Sequence, residues 1–327
     1  MQHIFKGKSA LPFAVYIFVF FLLAMVQLMV KVPMLILERF IPGAGWFEIA
    51  FISAYAAFVT YKMQDPMNVP RWRRITWITF SCVFFSQLIL GISGLDKFLM
   101  TGKLHLPIPM MILGGPLYRG QTSVMTFLFL STIILTGPAW CSQLCYFGAF
   151  DGISSGGKTR RGALKNKIAI KSTLMFLIIG AVILFRWFNV PLIWATLLAA
   201  AFGIGGIGVM IFFSRKQGRM IHCVMYCPIG SVVNLFRYAN PFRIYIDSNC
   251  SLCMKCTGFC KYDALNPNDI RNKKPSFTCT LCGDCLAACR DNSIKYNYLK
   301  LGPTASRNLY LFFTISLHAA FLALARI

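Results

Sequence analysis

The sequence predicts a multispan α-helical membrane protein, with about seven transmembrane helices, that carries a small inserted α+β module rich in cysteine. Three observations predict it. Of 327 residues, 57% are apolar and 13% charged, against about 25% charged in soluble domains. Seven apolar stretches approach the roughly 20 helical residues that a bilayer core requires. Eight of the thirteen cysteines fall between Cys250 and Cys289, in spacings unlike those of a small secreted disulfide scaffold. Four histidines and ten acidic residues are too few for a carboxylate-rich hydrolase. The 33 Lys+Arg leave a net charge of +23, which in so apolar a chain points to anionic lipid and not to nucleic acid.

The stretches at 11–30, 75–95, 123–140 and 192–213 contain no charged residue. The stretch at 168–188 holds Lys171 and Arg186 near its ends, where long cationic side chains snorkel to the interface. The stretches at 46–61 and 308–324 are shorter. The first stretch is too long for the core of a signal peptide and is followed by no small-residue cleavage site, so it reads as a retained span. Cys82 stands alone in the third span and reads as a small apolar core residue.

Orientation follows from the basic residues of the connections. With Lys6 and Lys8 inside, the connection holding Lys62, Arg71, Arg73 and Arg74 is also inside. So are Lys158, Arg160, Arg161, Lys165 and Lys167, and then Arg215, Lys216 and Arg219. The outer connections are poorer in cations, with Lys97, Lys103 and Arg119 in one. The expected layout is a bundle of six spans over 1–217, a cytoplasmic module over 218–307, and a final span over 308–327. The localisation is then a bacterial or archaeal cytoplasmic membrane, with the module in the reducing cytoplasm.

The module repeats. Cys250, Cys253, Cys256 and Cys260 recur as Cys279, Cys282, Cys285 and Cys289, shifted by 29 residues, and Leu252 and Leu265 reappear as Leu281 and Ile294. Each half reads C-x2-C-x2-C-x3-C, the spacing by which bacterial ferredoxins hold [4Fe-4S] clusters. Three close cysteines supply three corners of a cluster and the other half supplies the fourth. The expected sets are Cys250, Cys253, Cys256 with Cys289, and Cys279, Cys282, Cys285 with Cys260. Zinc is the competing metal for C-x2-C pairs, and a duplicated series of eight argues against it. The proline that usually follows the fourth cysteine is replaced by Lys261 and Arg290. Each is either a cation that raises the potential of a neighbouring cluster or a solvated surface residue. The module holds nine Lys+Arg against five Asp between Pro241 and Lys300, which suits an acidic soluble electron-transfer partner.

Two more pairs lie at the membrane edge, Cys141 with Cys145 and Cys223 with Cys227. Residues four apart share a helix face, so each pair can present two thiols to one point. Three readings stay open: a further iron–sulfur cluster or soft metal, a dithiol cycling through a disulfide with its thiolate favoured by a nearby Arg or His222, or packing thiols.

The tandem half-motifs, the two C-x3-C pairs with Pro228 after Cys227, and the multispan bundle resemble the membrane polyferredoxin family. That family includes the NapH-type quinol dehydrogenases and the C-terminal part of NosR, and the oxidase assembly protein CcoG has a similar core. Its pairs usually read C-x3-C-P, whereas Tyr146 follows Cys145 here. The resemblance covers about residues 123–297. It implies electron transfer between the quinone pool and another redox protein through cytoplasmic clusters. Nothing resembles the covalent flavin domain of NosR, and His318 is the one histidine in the spans, so neither flavin nor a two-ligand haem is expected.

The connection at 96–122 is long and apolar, and its Pro107, Pro109, Gly114, Gly115 and Pro116 oppose a continuous helix and favour a re-entrant or interfacial path. His105, Tyr118 and Arg119 are candidates for a quinone headgroup there; a cap over the bundle or a docking surface for a partner subunit is the alternative. Clusters carry one electron and quinone chemistry takes two, so the chain is expected to be one subunit of a redox complex. The competing readings are an assembly factor that reduces a metal ion or disulfide through the C-x3-C pairs, and a non-redox regulator or scaffold.

Overall fold

The computed structural model describes residues 10–98, 107–122, 124–156 and 162–324. His105, Lys6, Lys8, Lys103, Lys158, Arg160 and Arg161 lie outside the described residues. Of the described residues, 69% are helical. Among the described residues, six helices are long and apolar enough to cross a membrane: Ala10–Met29, Pro66–Ile92, Met125–Ser154, Lys167–Trp187, Leu192–Gln217 and Pro303–Leu324. This is a multipass membrane protein. The seventh expected stretch also forms a helix, Gly45–Met63, but it carries Glu48 and Lys62 and is not one of the six. Its buried Ser53 and Thr60 turn their hydroxyls back onto the carbonyls of Ile49 and Ala56, at 2.7 and 2.8 Å.

The chain divides into two compact units, residues 1–105 with 296–327, and residues 106–295. The first unit contains α1 (Ala10–Met29), α2 (Ile36–Phe40), α3 (Gly45–Met63), α4 (Val69–Ile92) and the last helix, α16 (Pro303–Leu324). α1 buries Leu11, Val15, Val19 and Leu23, one residue per turn, and α3 packs on α1, α16 and α4. The Arg307 guanidinium donates to the carbonyls of Met63 and Gln64, both at 2.6 Å. It thus satisfies and neutralises the C-terminal end of α3. His318 is buried on α16 and hydrogen-bonds Tyr55 at 3.1 Å. Cys82 is not in the core: it is exposed on α4, whose packed face carries Phe80, Ser81 and Phe84.

The second unit begins with α5 (Met111–Arg119). The glycines and proline of this connection do not prevent a helix of 9 residues. Pro116 leaves the carbonyl of Ile112 without its usual partner, and the Thr126 hydroxyl fills that vacancy at 2.9 Å. α6 (Val124–Thr136) stops at Gly137, whose φ is +57°. Asn240 caps the end, its Nδ2 donating to the carbonyls of Ile134 and Leu135 at 2.8 and 3.0 Å. A Cβ at residue 137 would stand 2.7 Å from Asn240 Cγ. The break re-aims the chain into α7 (Trp140–Gln143) and α8 (Gly148–Ser154), followed by α9 (Lys167–Trp187) and α10 (Leu192–Gly208). α10 runs through a π-helical turn, Val209–Ser214, into α11 (Arg215–Gln217). A second π-helical turn, His222–Tyr226, leads to α12 (Pro228–Leu235).

The cysteine-rich part holds β1 (Phe242–Ile246), α13 (Lys255–Phe259), α14 (Pro267–Arg271), α15 (Asp284–Ala288) and β2 (Ile294–Tyr298). β1 pairs with β2, and the division between the units falls inside β2. The cysteine repeat is also a backbone repeat. Left-handed φ angles occur at Leu252 (55°), Met254 (57°) and Asp263 (54°), and again at Leu281 (56°), Gly283 (83°) and Asn292 (50°). α13 and α15 begin at the same point of each half.

The compact units cut the chain elsewhere than at the composition changes near 217 and 307. A buried ionic network accounts for part of this. Asp263, fully buried in the cysteine-rich part, pairs with Lys167 at the start of α9 at 2.9 Å and with Arg219 at 3.3 Å. It also accepts the N–H of Leu164 at 3.1 Å. Lys261 donates to the carbonyls of Ser155 and Gly218, both at 3.1 Å.

Candidate metal centres

Twelve of the thirteen cysteines gather into three groups. Cys250, Cys253, Cys256 and Cys289 line one open cavity of about 320 Å³, walled by Ile246, Ile270, Ala288 and Ile294. Cys260, Cys279, Cys282 and Cys285 line another of about 340 Å³, walled by Ile244, Tyr262, Ala264 and Leu265. In each, the fourth cysteine comes from the other half of the repeat. Left-handed residues flank Cys253 and Cys282 in the two loops, the kind of backbone alternation from which anion-binding nests are built. Ala264 N–H donates to Cys260 Sγ and Ser293 N–H to Cys289 Sγ, both at 3.2 Å. Burial pushes the Cys256 thiol up to about 11, with Cys289, Cys250 and Cys253 adding to it. Cys285 rises further, through burial and then Cys282, Cys279 and Cys260. Soft metal ions displace the protons of such buried thiols.

The third group is built from tight turns and not from regular helix faces. Cys141 lies in the single turn of α7 and Cys145 just beyond it. Cys223 lies in a π-helical turn, and Cys227 is extended as the N-cap of α12 with Pro228 at the first helical position. Such π turns are frequent at functional sites, and proline there lacks only an N–H that no helix bond needs. The four thiols converge. Cys223 is raised well above its ordinary value by burial, then by Asp151, Cys145, Cys227 and Cys141. Burial also raises Cys227, while the N–H groups of Gly230 and Ile229 and the Lys171 ammonium oppose that rise. Cys145 Sγ accepts the N–H groups of Gly148 and Phe147. Both pairs therefore read C-x3-C-x2-G, a repeated signal that the cysteine spacing alone does not reveal.

Three side chains surround this group, of which the sequence singles out His222 as a neighbour of a redox dithiol but assigns no site role to Lys171 or Asp151. Lys171 does not snorkel: it is buried, and a Cβ on Gly230 would stand 2.7 Å from its Nζ. Its place in an otherwise apolar helix was the available signal, because a buried intramembrane cation has a function by default. Asp151, fully buried, accepts the backbone N–H of Cys223 at 2.9 Å. His222 is buried against Phe147 and Tyr226, and burial followed by Lys171 lowers its pKa to about 3. Ligand atoms of Asp151, His222 and Cys223 lie within 4.8 Å of one another.

The third group adjoins the second. Tyr262, in the wall of the second cavity, donates to the Cys141 carbonyl at 3.5 Å. Ser142 donates to the carbonyl of Thr280, the neighbour of Cys279, at 3.0 Å. Lys261 is half-buried and donates to the carbonyls of Ser155 and Gly218, whereas Arg290 is exposed.

Of the quinone candidates, Tyr118 and Arg119 line an apolar cavity of about 520 Å³ with Met110, Met111, Val182 and Phe185. Tyr118 donates its hydroxyl proton to the Val190 carbonyl at 2.5 Å, leaving the phenol only its acceptor capacity.

A family model described as a 4Fe-4S binding domain matches residues 122–165. That segment contains Cys141 and Cys145. An uncharacterised protein of Methanocaldococcus jannaschii is 24% identical over 92 residues, 28% of this chain and 37% of that protein. No solved structure matches. The family match, the cysteine content and the apolar helices support an iron–sulfur protein of ferredoxin type in a membrane, with a role in electron transfer.

Proposed function

We propose that the chain is a membrane electron-transfer subunit that passes electrons between the quinone pool and a partner redox protein. In this reading Cys250, Cys253, Cys256 and Cys289 hold one [4Fe-4S] cluster, and Cys260, Cys279, Cys282 and Cys285 a second. Cys141, Cys145, Cys223 and Cys227 hold a further cluster at the membrane edge. The module over 218–307 faces the cytoplasm. The observation that carries the reading is the row of three four-thiol groups, the second and third joined through Tyr262 and Ser142.

Each cluster, when bound, supplies one-electron chemistry. The residues supply the rest. Lys171 offsets the negative charge of four thiolates, and the N–H groups of Gly148 and Gly230 hold the sulfurs in place. Val182 in the cavity wall and Lys171 at the third group both lie on α9, and 11 residues of helix separate them by about 16 Å. Phe202 stacks on Tyr226 with centroids 4.4 Å apart, and His222 lies tilted against Tyr226 at 5.5 Å. A quinone in the cavity would place its headgroup beside Tyr118 and Arg119 and its tail against the apolar side chains, and would supply the two-electron chemistry.

The test is iron and acid-labile sulfide per chain in anaerobically purified protein, beside a variant with Cys141, Cys145, Cys223 and Cys227 all changed to Ser. Three clusters require about twelve iron atoms and two require about eight. Wild type at about twelve with the variant at about eight supports the reading; about eight in both removes the third cluster.

One observation favours a second reading. The mixed Asp151, His222 and Cys223 donor set, with Asp151 Oδ1 and His222 Nδ1 lacking hydrogen-bond partners, suits a single transition-metal ion. An assembly factor that reduces a metal ion for another protein would use such a site. Reduction of Cu(II) by the dithionite-reduced protein without quinone, lost on Asp151→Ala, would favour it.

A further inference from the structure

The two halves of the cysteine repeat match in backbone but not in exposure. Leu252 is 48% exposed and its counterpart Leu281 2%; Phe259 is 48% exposed and its counterpart Ala288 5%. Cys253 is the one exposed thiol among the eight, whereas Cys282 is half-buried. The second half is covered because Thr280 and Tyr262 are held against Ser142 and Cys141. The first half keeps its loop open.

Charge is also unequal. Lys255, two residues from Cys253, and Arg290, next to Cys289, are exposed. So are Arg271, Lys273 and Lys274, which follow Ile270 in the cavity wall. The acidic groups nearby are fewer than these five cations, and one of them is paired with a further cation. Asp291 accepts the backbone N–H and the hydroxyl of Ser251 at 2.9 and 2.5 Å, Asp269 accepts the N–H of Asn266 at 2.8 Å, and Asp247 pairs with Lys295.

Resting on the three-cluster reading above, we infer that the face around Cys253, with Leu252 at its centre and Lys255 and Arg290 at its rim, is the electron port for an acidic soluble redox protein. An exposed apolar centre ringed by cations suits a transient partner: the cations raise the encounter rate and the apolar contact brings the two centres close. Electrons then cross between solvent and the first cysteine group, while the second group leads to the membrane edge.

The test uses the full chain with its clusters, reduced with dithionite in neutral detergent. Stopped-flow oxidation is followed with ferricyanide, an anionic oxidant, and with tris(phenanthroline)cobalt(III), a cationic one. Lys255→Glu with Arg290→Glu is compared with Arg215→Glu with Lys216→Glu, which changes net charge equally at the end of α11. With a cationic port, the first variant slows ferricyanide and speeds the cobalt reagent, each by about tenfold at 0.1 M salt, and the second moves neither more than about twofold. Equal effects of both variants would mean that only net charge matters, and the port would fall. The same measurement in lipid nanodiscs separates the occupants. If discs rich in anionic lipid slow ferricyanide in the wild type to the rate of the variant, the face is a membrane contact, and the acidic protein partner is refuted. Iron content of each sample separates failure of the port from failure of the cluster reading: a chain without iron refutes the latter, and loaded but indifferent variants refute the former alone.

Discussion

Asp263→Asn probes the ionic network that joins the cysteine-rich part to the membrane helices of the same unit. The carboxylate has no solvent contact, and the side chains of Arg219 and Lys167 are only 1% and 11% exposed. Asn keeps the size, tolerates the left-handed φ of 54°, and still accepts the Leu164 N–H. The charge is lost and two buried cations remain. Breaking a buried ion pair from one side costs about 3–5 kcal/mol; with the Leu164 bond retained, a loss of about 3 kcal/mol is expected. Adding Lys167→Met and Arg219→Met should return most of it, since apolar replacement of a whole buried ionic group is nearly neutral. Guanidinium unfolding in neutral detergent, followed by tryptophan fluorescence and by loss of iron–sulfur absorbance, measures both. A loss under about 1 kcal/mol, or a triple variant no better than the single one, would refute the argument.

Lys171→Met removes the buried cation facing Cys227; redox titration by EPR should show the membrane-edge centre shifted to lower potential by on the order of 100 mV, the other two unmoved. Gly230→Ala places a Cβ 2.7 Å from Lys171 Nζ and 3.2 Å from the Cys223 carbonyl, so iron per chain should fall by about four atoms with the eight-cysteine module still loaded. The Asp247 carboxyl is lowered to about 2 from 3.8, chiefly by its hydrogen bond to Lys295. Its contribution is therefore present above about pH 4 and fades as pH falls through 2, whereas Lys295, raised above 10.5 by the same bond, contributes below that value and fades as pH rises past its folded value. In metal-free protein the amide of Asp247, which donates to the Ser293 carbonyl at 2.7 Å, should lose hydrogen-exchange protection below pH 4, and in Asp247→Asn at every pH.

Local features were readable in the sequence, because hydropathy and spacing are local properties. Apolar runs such as 11–30 and 192–213 marked helices, since a helix satisfies its own backbone in lipid. The spacing of eight cysteines named two sets, and those two sets line two cavities. The helix over 111–119 escaped because Pro116 opposes helix until a distant hydroxyl, Thr126, satisfies the carbonyl it orphans. Cys82 faces outward because packing, and not its own apolarity, chose the buried face of α4.

Tertiary structure alone decided the remainder. That Cys141 and Cys145 meet Cys223 and Cys227 depends on a break at Gly137 held by Asn240 and on two π-helical turns, none of which a spacing rule contains. Lys171 reads as an interfacial cation until the chain closes around it. Leu252 and Leu281 have equivalent places in a repeat, and only the contacts of Ser142 and Tyr262 make one half open and the other covered. Spacing determines which ligands a loop can offer, and chain closure determines what each loop faces.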